Sequence, residues 1–224
     1  MTKKKKTYTP KSPARRAKGA VVGIGLHLVA VAIFAAMMAI NLSHLLSRSP
    51  DEPLSDASLV PGFETYALAY GLAAIGQIAT LIVYGVLFFM WIHRTNRNAQ
   101  TLSTGMEVSP GWAVGWFFIP FASLYKPFQG LDQTWRVSID PTRWRAVDTP
   151  VLLRVWWGLY LASNVTGWLS NMAGGARTVG SHAAAAMVGL ASSGLLILCC
   201  LAAIQMVRTL TRQQINALEV SAFA

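Results

Sequence analysis

The sequence predicts an all-α integral membrane protein, with four transmembrane helices and an interfacial or re-entrant helical hairpin on the cytoplasmic side. Three observations predict it. Uncharged apolar stretches occupy residues 19–47, 65–93, 155–176 and 178–207, each longer than the ~20 residues a helix needs to cross the hydrocarbon core. At 54% hydrophobic and 12% charged, the composition falls outside the range of soluble domains. Finally, the basic residues gather on one side of the alternation that the four stretches define.

The first 18 residues form a basic tail, expected to be disordered and cytoplasmic. It holds Lys3, Lys4, Lys5, Lys6, Lys11, Arg15, Arg16 and Lys18, eight of the nineteen Lys and Arg. Basic residues within about 15–20 positions of a span keep that end in the cytoplasm and draw anionic lipid headgroups at about 1 kcal/mol each. With Tyr8 as its lone aromatic, the tail does not predict a nucleic-acid partner. Residues 19–224 read as one membrane domain with spans at about 20–46, 66–92, 154–175 and 181–207. The first resembles a secretory signal, but its apolar core is roughly twice the usual 7–15 residues, so it reads as an uncleaved anchor.

With four spans, the tail, the central segment 92–154 and the residues after 207 are cytoplasmic, as are both termini. All Lys and Arg except Arg48 and Arg177 then lie inside, whereas the first external loop carries Asp51, Glu52, Asp56 and Glu64. The shorter uncharged stretch 109–125 opens with Ser109-Pro110-Gly111 and is broken by Pro120, which lacks a backbone donor. Were it a span, Lys126, Arg136, Arg143, Arg145, Arg154, Arg208 and Arg212 would all move outside, against the charge rule. It must enter and leave on one side. After it, Phe128, Leu131 and Trp135 recur at helical spacing among polar residues, as in a helix lying in the headgroup region. The interfacial segment therefore runs over 109–139. Of eight tryptophans, all but Trp168 fall on the cytoplasmic side of this topology.

Spanning helices associate through small residues and side-chain hydrogen bonds. Gly158, Ala162, Thr166 and Ser170 make one stripe; Ser181, Ala185, Gly189 and Ser193 make another. These predict a tight antiparallel pair, linked through Gly174-Gly175. Gly111 and Gly115 are a weaker match.

Candidate chemistry is sparse. No ionisable residue sits at the centre of a span, which argues against ion coupling. Gln77, Asn164, Ser192 and Ser193 are the central polar groups, suited to helix-to-helix bonding or to a solute path. His27, His44, His93 and His182 have no metal-ligand spacing, although His44 and His182 could meet outside. Cys199-Cys200 are expected to pack rather than bridge. No nucleophile beside a base and no phosphate loop occurs, so neither cofactor nor metal nor catalytic residue is assigned.

The runs Trp91-Ile92-His93-Arg94 and Asn98-Ala99, the segment Ser109-Pro110-Gly111-Trp112-Ala113-Val114-Gly115-Trp116-Phe117-Phe118-Ile119-Pro120, then Lys126-Pro127-Phe128-Gln129, Trp135-Arg136 and Trp156-Trp157 closely resemble the bacterial domain-of-unknown-function 4328 family. The resemblance covers roughly residues 67–212. It implies a multi-pass protein of the bacterial plasma or inner membrane and carries over no catalytic residue. Where that family commonly reads Asn-Leu-Trp-Arg-Pro-Tyr, this chain has Ser123-Leu124-Tyr125-Lys126-Pro127-Phe128, and Lys for Arg loses a bidentate fork.

The leading expectation is a non-enzymatic protein whose hairpin docks a membrane or cytoplasmic protein partner or an anionic lipid headgroup. Its candidate surface is Arg94, Asn98, Pro110, Trp112, Trp116, Pro120, Lys126, Pro127, Gln129, Trp135, Arg136, Trp156 and Trp157. Two alternatives are a channel or facilitator for a small solute, lined by Gln77 and Asn164, and a lipid-modifying enzyme using acids near Asp132.

Overall fold

The computed structural model describes residues 8–53, 63–173 and 178–222. The fold of the described residues is all-α, with six α-helices among them: α1 Ala14–Leu45, α2 Phe63–Leu102, α3 Pro110–Gly115, α4 Lys126–Ile139, α5 Val151–Ala173 and α6 Val179–Ala222. Lys3, Lys4, Lys5, Lys6, Asp56, Gly174, Gly175 and Arg177 lie outside the described residues.

Among the described residues, three helices are long and apolar enough to cross a membrane, over Ala14–Leu45, Tyr66–Leu102 and Val179–Ser221. Their uncovered faces are apolar too. On α2, Leu68, Leu72, Ile75, Ile78, Ile82 and Val86 are each more than half exposed, at the spacing of one helical face. A stripe of that extent is at home against lipid rather than water. α5, expected as the third span, is not among the three. Its Trp156, Trp157, Asn164, Thr166 and Asn171 lower its apolarity, though several polar side chains bond back into the helix. Asn164 donates to Tyr160 O at 2.7 Å, Thr166 to Ala162 O at 2.8 Å and Asn171 to Gly167 O at 2.9 Å.

Helix lengths also depart from expectation. α1 begins at Ala14, so Arg15, Arg16 and Lys18 belong to a helix and not to the disordered tail expected over 1–18. α2 and α6 run on past the apolar stretches to Leu102 and Ala222. Their extensions meet hydrogen-bonding and apolar partners, described below, and these hold them helical where hydropathy alone sets no end.

The chain divides into two compact units. The second comprises Ile24–Val83 and Gly158–Leu201. Here α5 and α6 pair closely. Ser170 donates to Ala185 O at 2.9 Å and Ser192 to Ser163 O at 3.0 Å, a register that advances along one helix as it retreats along the other, as antiparallel packing requires. A Cβ added at Gly189 would lie 2.8 Å from Met38 Sδ and 2.9 Å from Ser170 Oγ, so any side chain here would have to push both aside. On α5 the seam runs through Ser163, Gly167 and Ser170 instead of Gly158, Ala162 and Thr166. A Cβ at Gly158 would meet nothing within 4 Å.

The first unit comprises Met1–Gly23, Tyr84–Trp157 and Ala202–Ala224. Trp91, Ile92, Leu131, Trp135, Leu153, Met206 and Leu210 are almost fully enclosed there. Ala99, Val137 and Trp144 form a further cluster, flanked by Leu102 and Met106. α4 turns Leu131, Thr134, Trp135, Val137 and Ser138 into this interior. Its amphipathic pattern therefore reflects burial in protein, whereas the sequence reading had it resting in headgroups.

Candidate functional site

The site is built on a buried hydrogen-bond network. The Asn98 side chain donates to Lys11 O at 2.8 Å and accepts from Lys11 N at 3.2 Å, holding that residue by its main chain. Its amide also donates to Gln214 Oε1 at 3.0 Å. Gln214 in turn donates to Thr95 O at 2.9 Å and to Ser138 Oγ at 3.2 Å. Asn96 donates to Thr134 Oγ1 at 3.0 Å, and Trp91 Nε1 to Thr211 Oγ1 at 3.0 Å. Asn96, Asn98 and Gln214 are completely buried. Such groups cost stability unless paired, so these bonds fix where each helix end sits, while Asn96 Oδ1 is left buried without a partner.

Loops are fastened in the same way. Arg136 donates to Trp144 O at 2.9 Å and Arg145 O at 2.6 Å while pairing with Asp132 at 3.2 Å. Gln133 accepts from the Glu107 and Val108 amides. Gly105, at φ +85°, lies against Arg145, whose Nη2 donates to its carbonyl at 3.0 Å. In the turn after α4, hydrogen bonds from the Thr142 hydroxyl and the Arg143 amide hold the Asp140 carboxyl down at about 2.

On this frame the first turns of α1 and the far part of α2 bring together four cationic or titratable side chains: Arg16, His93, Arg94 and Arg97. They lie within electrostatic reach of one another. Arg16 Nη1 donates to Met90 O at 2.9 Å, and the Arg97 guanidinium lies 5.1 Å from the Tyr8 ring centroid. Arg94 is only 9% exposed, yet its Nη1 is buried without a hydrogen-bond partner, and so is Arg97 Nε. Among the described residues, the ion pairs join Arg48 to Glu52, Arg136 to Asp132 and Arg143 to Asp140. None neutralises this group. Beside it opens a groove of about 710 Å³, lined by Tyr8, His93, Arg97, Ser109, Pro110, Gly111, Trp112 and Gly115. Trp112 is half exposed and stacks on Trp116 at 4.5 Å.

The predicted surface residues therefore part company. Pro110 and Trp112 line the groove and Trp116 stacks on Trp112, whereas Arg94 is buried beside the groove residues His93 and Arg97. Asn98, Pro127, Trp135, Trp156 and Trp157 are buried, and Trp157 Nε1 donates to Leu124 O at 3.2 Å. Arg136 holds a turn. Lys126 bonds to Gln129 at 3.1 Å and lies over Tyr125. Pro120 is exposed at the bend, where Phe121 takes φ 61° between 3₁₀ turns over Trp116–Phe118 and Ala122–Leu124. Tyr8, Arg16, His93 and Arg97 were not in the expected set. The i, i+4 spacing of His93 and Arg97 past the end of an apolar stretch was the available signal.

Helices of this length and apolarity, with bare apolar faces, define a multi-pass helical membrane protein with a groove beside a cluster of basic side chains. The family model described as Domain of unknown function (DUF4328) matches residues 60–212, more than half the chain, and the chain belongs to that family. No curated protein and no solved structure matches it.

Proposed function

We propose that this is a non-enzymatic protein of the bacterial plasma membrane, crossing it four times with both termini cytoplasmic, and that its groove holds the phosphate of an anionic lipid headgroup. The observation that carries this reading is the carboxylate-free group of Arg16, His93, Arg94 and Arg97, with buried guanidinium nitrogens left unpaired. A buried cation without a counter-charge is costly. A phosphate oxygen supplies that charge, and guanidinium forks match it geometrically.

Two features make lipid the favoured source of the phosphate. α5 has 23 residues, about 35 Å of helix at 1.5 Å per residue, and bares Val165, Trp168 and Met172; it serves as the remaining span. At the tip of the hairpin, Phe118 is 71% and Phe121 84% exposed, with Leu124 also bare. Rings so exposed are suited to dipping into the acyl boundary. The groove then opens at headgroup level.

Native mass spectrometry from nanodiscs tests this. The wild-type chain is expected to retain phosphatidylglycerol over phosphatidylcholine. Arg94→Gln with Arg97→Gln should weaken retention by roughly tenfold or more, since each charged hydrogen bond is worth about 1.5–3 kcal/mol. Equal retention of both lipids by the wild type would remove the reading, and a stoichiometric protein in their place would favour a protein partner.

A further inference from the structure

The second unit holds a partly open cavity of about 470 Å³ that the headgroup reading does not use. All four of its helices contribute polar groups: Asn41 from α1, Tyr70 and Gln77 from α2, Asn171 from α5, and His182 and Ser192 from α6. None of the lining residues is Asp, Glu, Lys or Arg. We propose that this cavity is a hydrated binding site for small uncharged solutes bearing both hydrogen-bond donors and acceptors, of the size and chemistry of glycerol or urea.

Some of the polar groups that line the cavity are already used. Ser170, Ser192 and Ser193 give their protons to Ala185 O, Ser163 O and Gly189 O at 2.9–3.0 Å. Their oxygens therefore face the space as acceptors. The amides of Asn41 and Gln77 and the hydroxyl of Tyr70 make no hydrogen bond to the described residues, and His182 Nδ1 is buried without a partner. Away from bulk water, each unmet group of this kind costs several kcal/mol. A dry cavity would leave them all unmet, whereas one filled by water, or by a solute that donates and accepts, satisfies them. The volume suffices, as a water occupies about 30 Å³ of liquid. Ions are disfavoured because the wall offers dipoles and no compensating charge. Phe34 and Tyr70, with ring centroids 5.0 Å apart, supply an apolar side against which a solute's carbon frame can rest.

Cysteine reactivity tests the proposal in the full chain, reconstituted in liposomes with Cys199 and Cys200 replaced by serine. The thiolate attacks the methanethiosulfonate sulfur, forming a mixed disulfide and releasing methanesulfinate, and the thiolate forms only where water solvates it. Ser192→Cys should react about tenfold or more faster than lipid-facing Leu198→Cys, because desolvation raises a thiol pKa by a unit or more. Glycerol or urea should slow the reaction at Ser192→Cys, and sodium chloride at matched osmolarity should not. Adding Gln77→Leu should weaken that protection roughly fivefold, the worth of one neutral hydrogen bond. Gln77→Cys is a second reporter on another helix, so the outcome does not depend on one variant folding. Equal rates at Ser192→Cys and Leu198→Cys overturn the proposal by making the cavity dry. Equal slowing by salt and glycerol, or protection indifferent to Gln77→Leu, overturns it by removing the binding. None of these outcomes touches Arg94 or Arg97, so the lipid reading stands or falls separately.

Discussion

Asn98 works because its amide both donates and accepts. Asn98→Ala would leave the Lys11 main chain and Gln214 Oε1 without their partners, at a cost of about 2–4 kcal/mol for several buried groups unmet. A lowered denaturant midpoint in micelles would report the loss; an unchanged one would mean that the network is dispensable. Asp140 gives a pH signature. Its carboxyl titrates at about 2 instead of 3.8, so its contribution is complete above the ordinary value and is lost as pH falls through the lower one. Protection of the Thr142 and Arg143 amides against hydrogen exchange should hold above about pH 4 and vanish toward pH 2. Asn98 and Trp135 belong to a recognisable sequence pattern that points equally well to a surface. A motif marks positions that matter to fold or ligand without distinguishing the two, and only the three-dimensional neighbours reveal that both are enclosed.

Apolar length made the helices legible, and small residues made the pairing of α5 with α6 legible. The face of α5 was less so, because two small-residue stripes coexist on one helix and composition does not rank them. Gly189→Val would drive a side chain into Met38 and Ser170, an overpacking worth about 1–3 kcal/mol, whereas Gly158→Val should leave the thermal midpoint nearly unchanged. The reverse order would restore the stripe through Gly158, Ala162 and Thr166. The solute path expected at Gln77 and Asn164 divides in the same manner. Gln77 lines the cavity, while Asn164 is exposed and bonds to its own helix. The ends of α2 and α6 were not legible at all, since Asn96, Asn98 and Gln214 find partners far away in sequence.

At the scale of the molecule, the charge asymmetry was the plainest signal, and it is what orients the four-span proposal. With Cys199 and Cys200 replaced, a cysteine at exposed Ala146 should resist an impermeant thiol reagent in intact cells, while one at exposed Ser49 should be labelled; the opposite pattern would invert the topology. A cysteine at Ser138 would report poorly, because that position is only 3% exposed. The Asn98 network also bears on biogenesis. Gln214 follows Asn98 by 116 residues, and at about 5–20 residues per second a ribosome takes several seconds to supply it. During that interval Asn98, Thr95 and Ser138 lack the partner that joins them. The module bearing the groove can therefore be completed only after the last helix has emerged, and a nascent chain stalled before Gln214 would expose these polar groups to quality control.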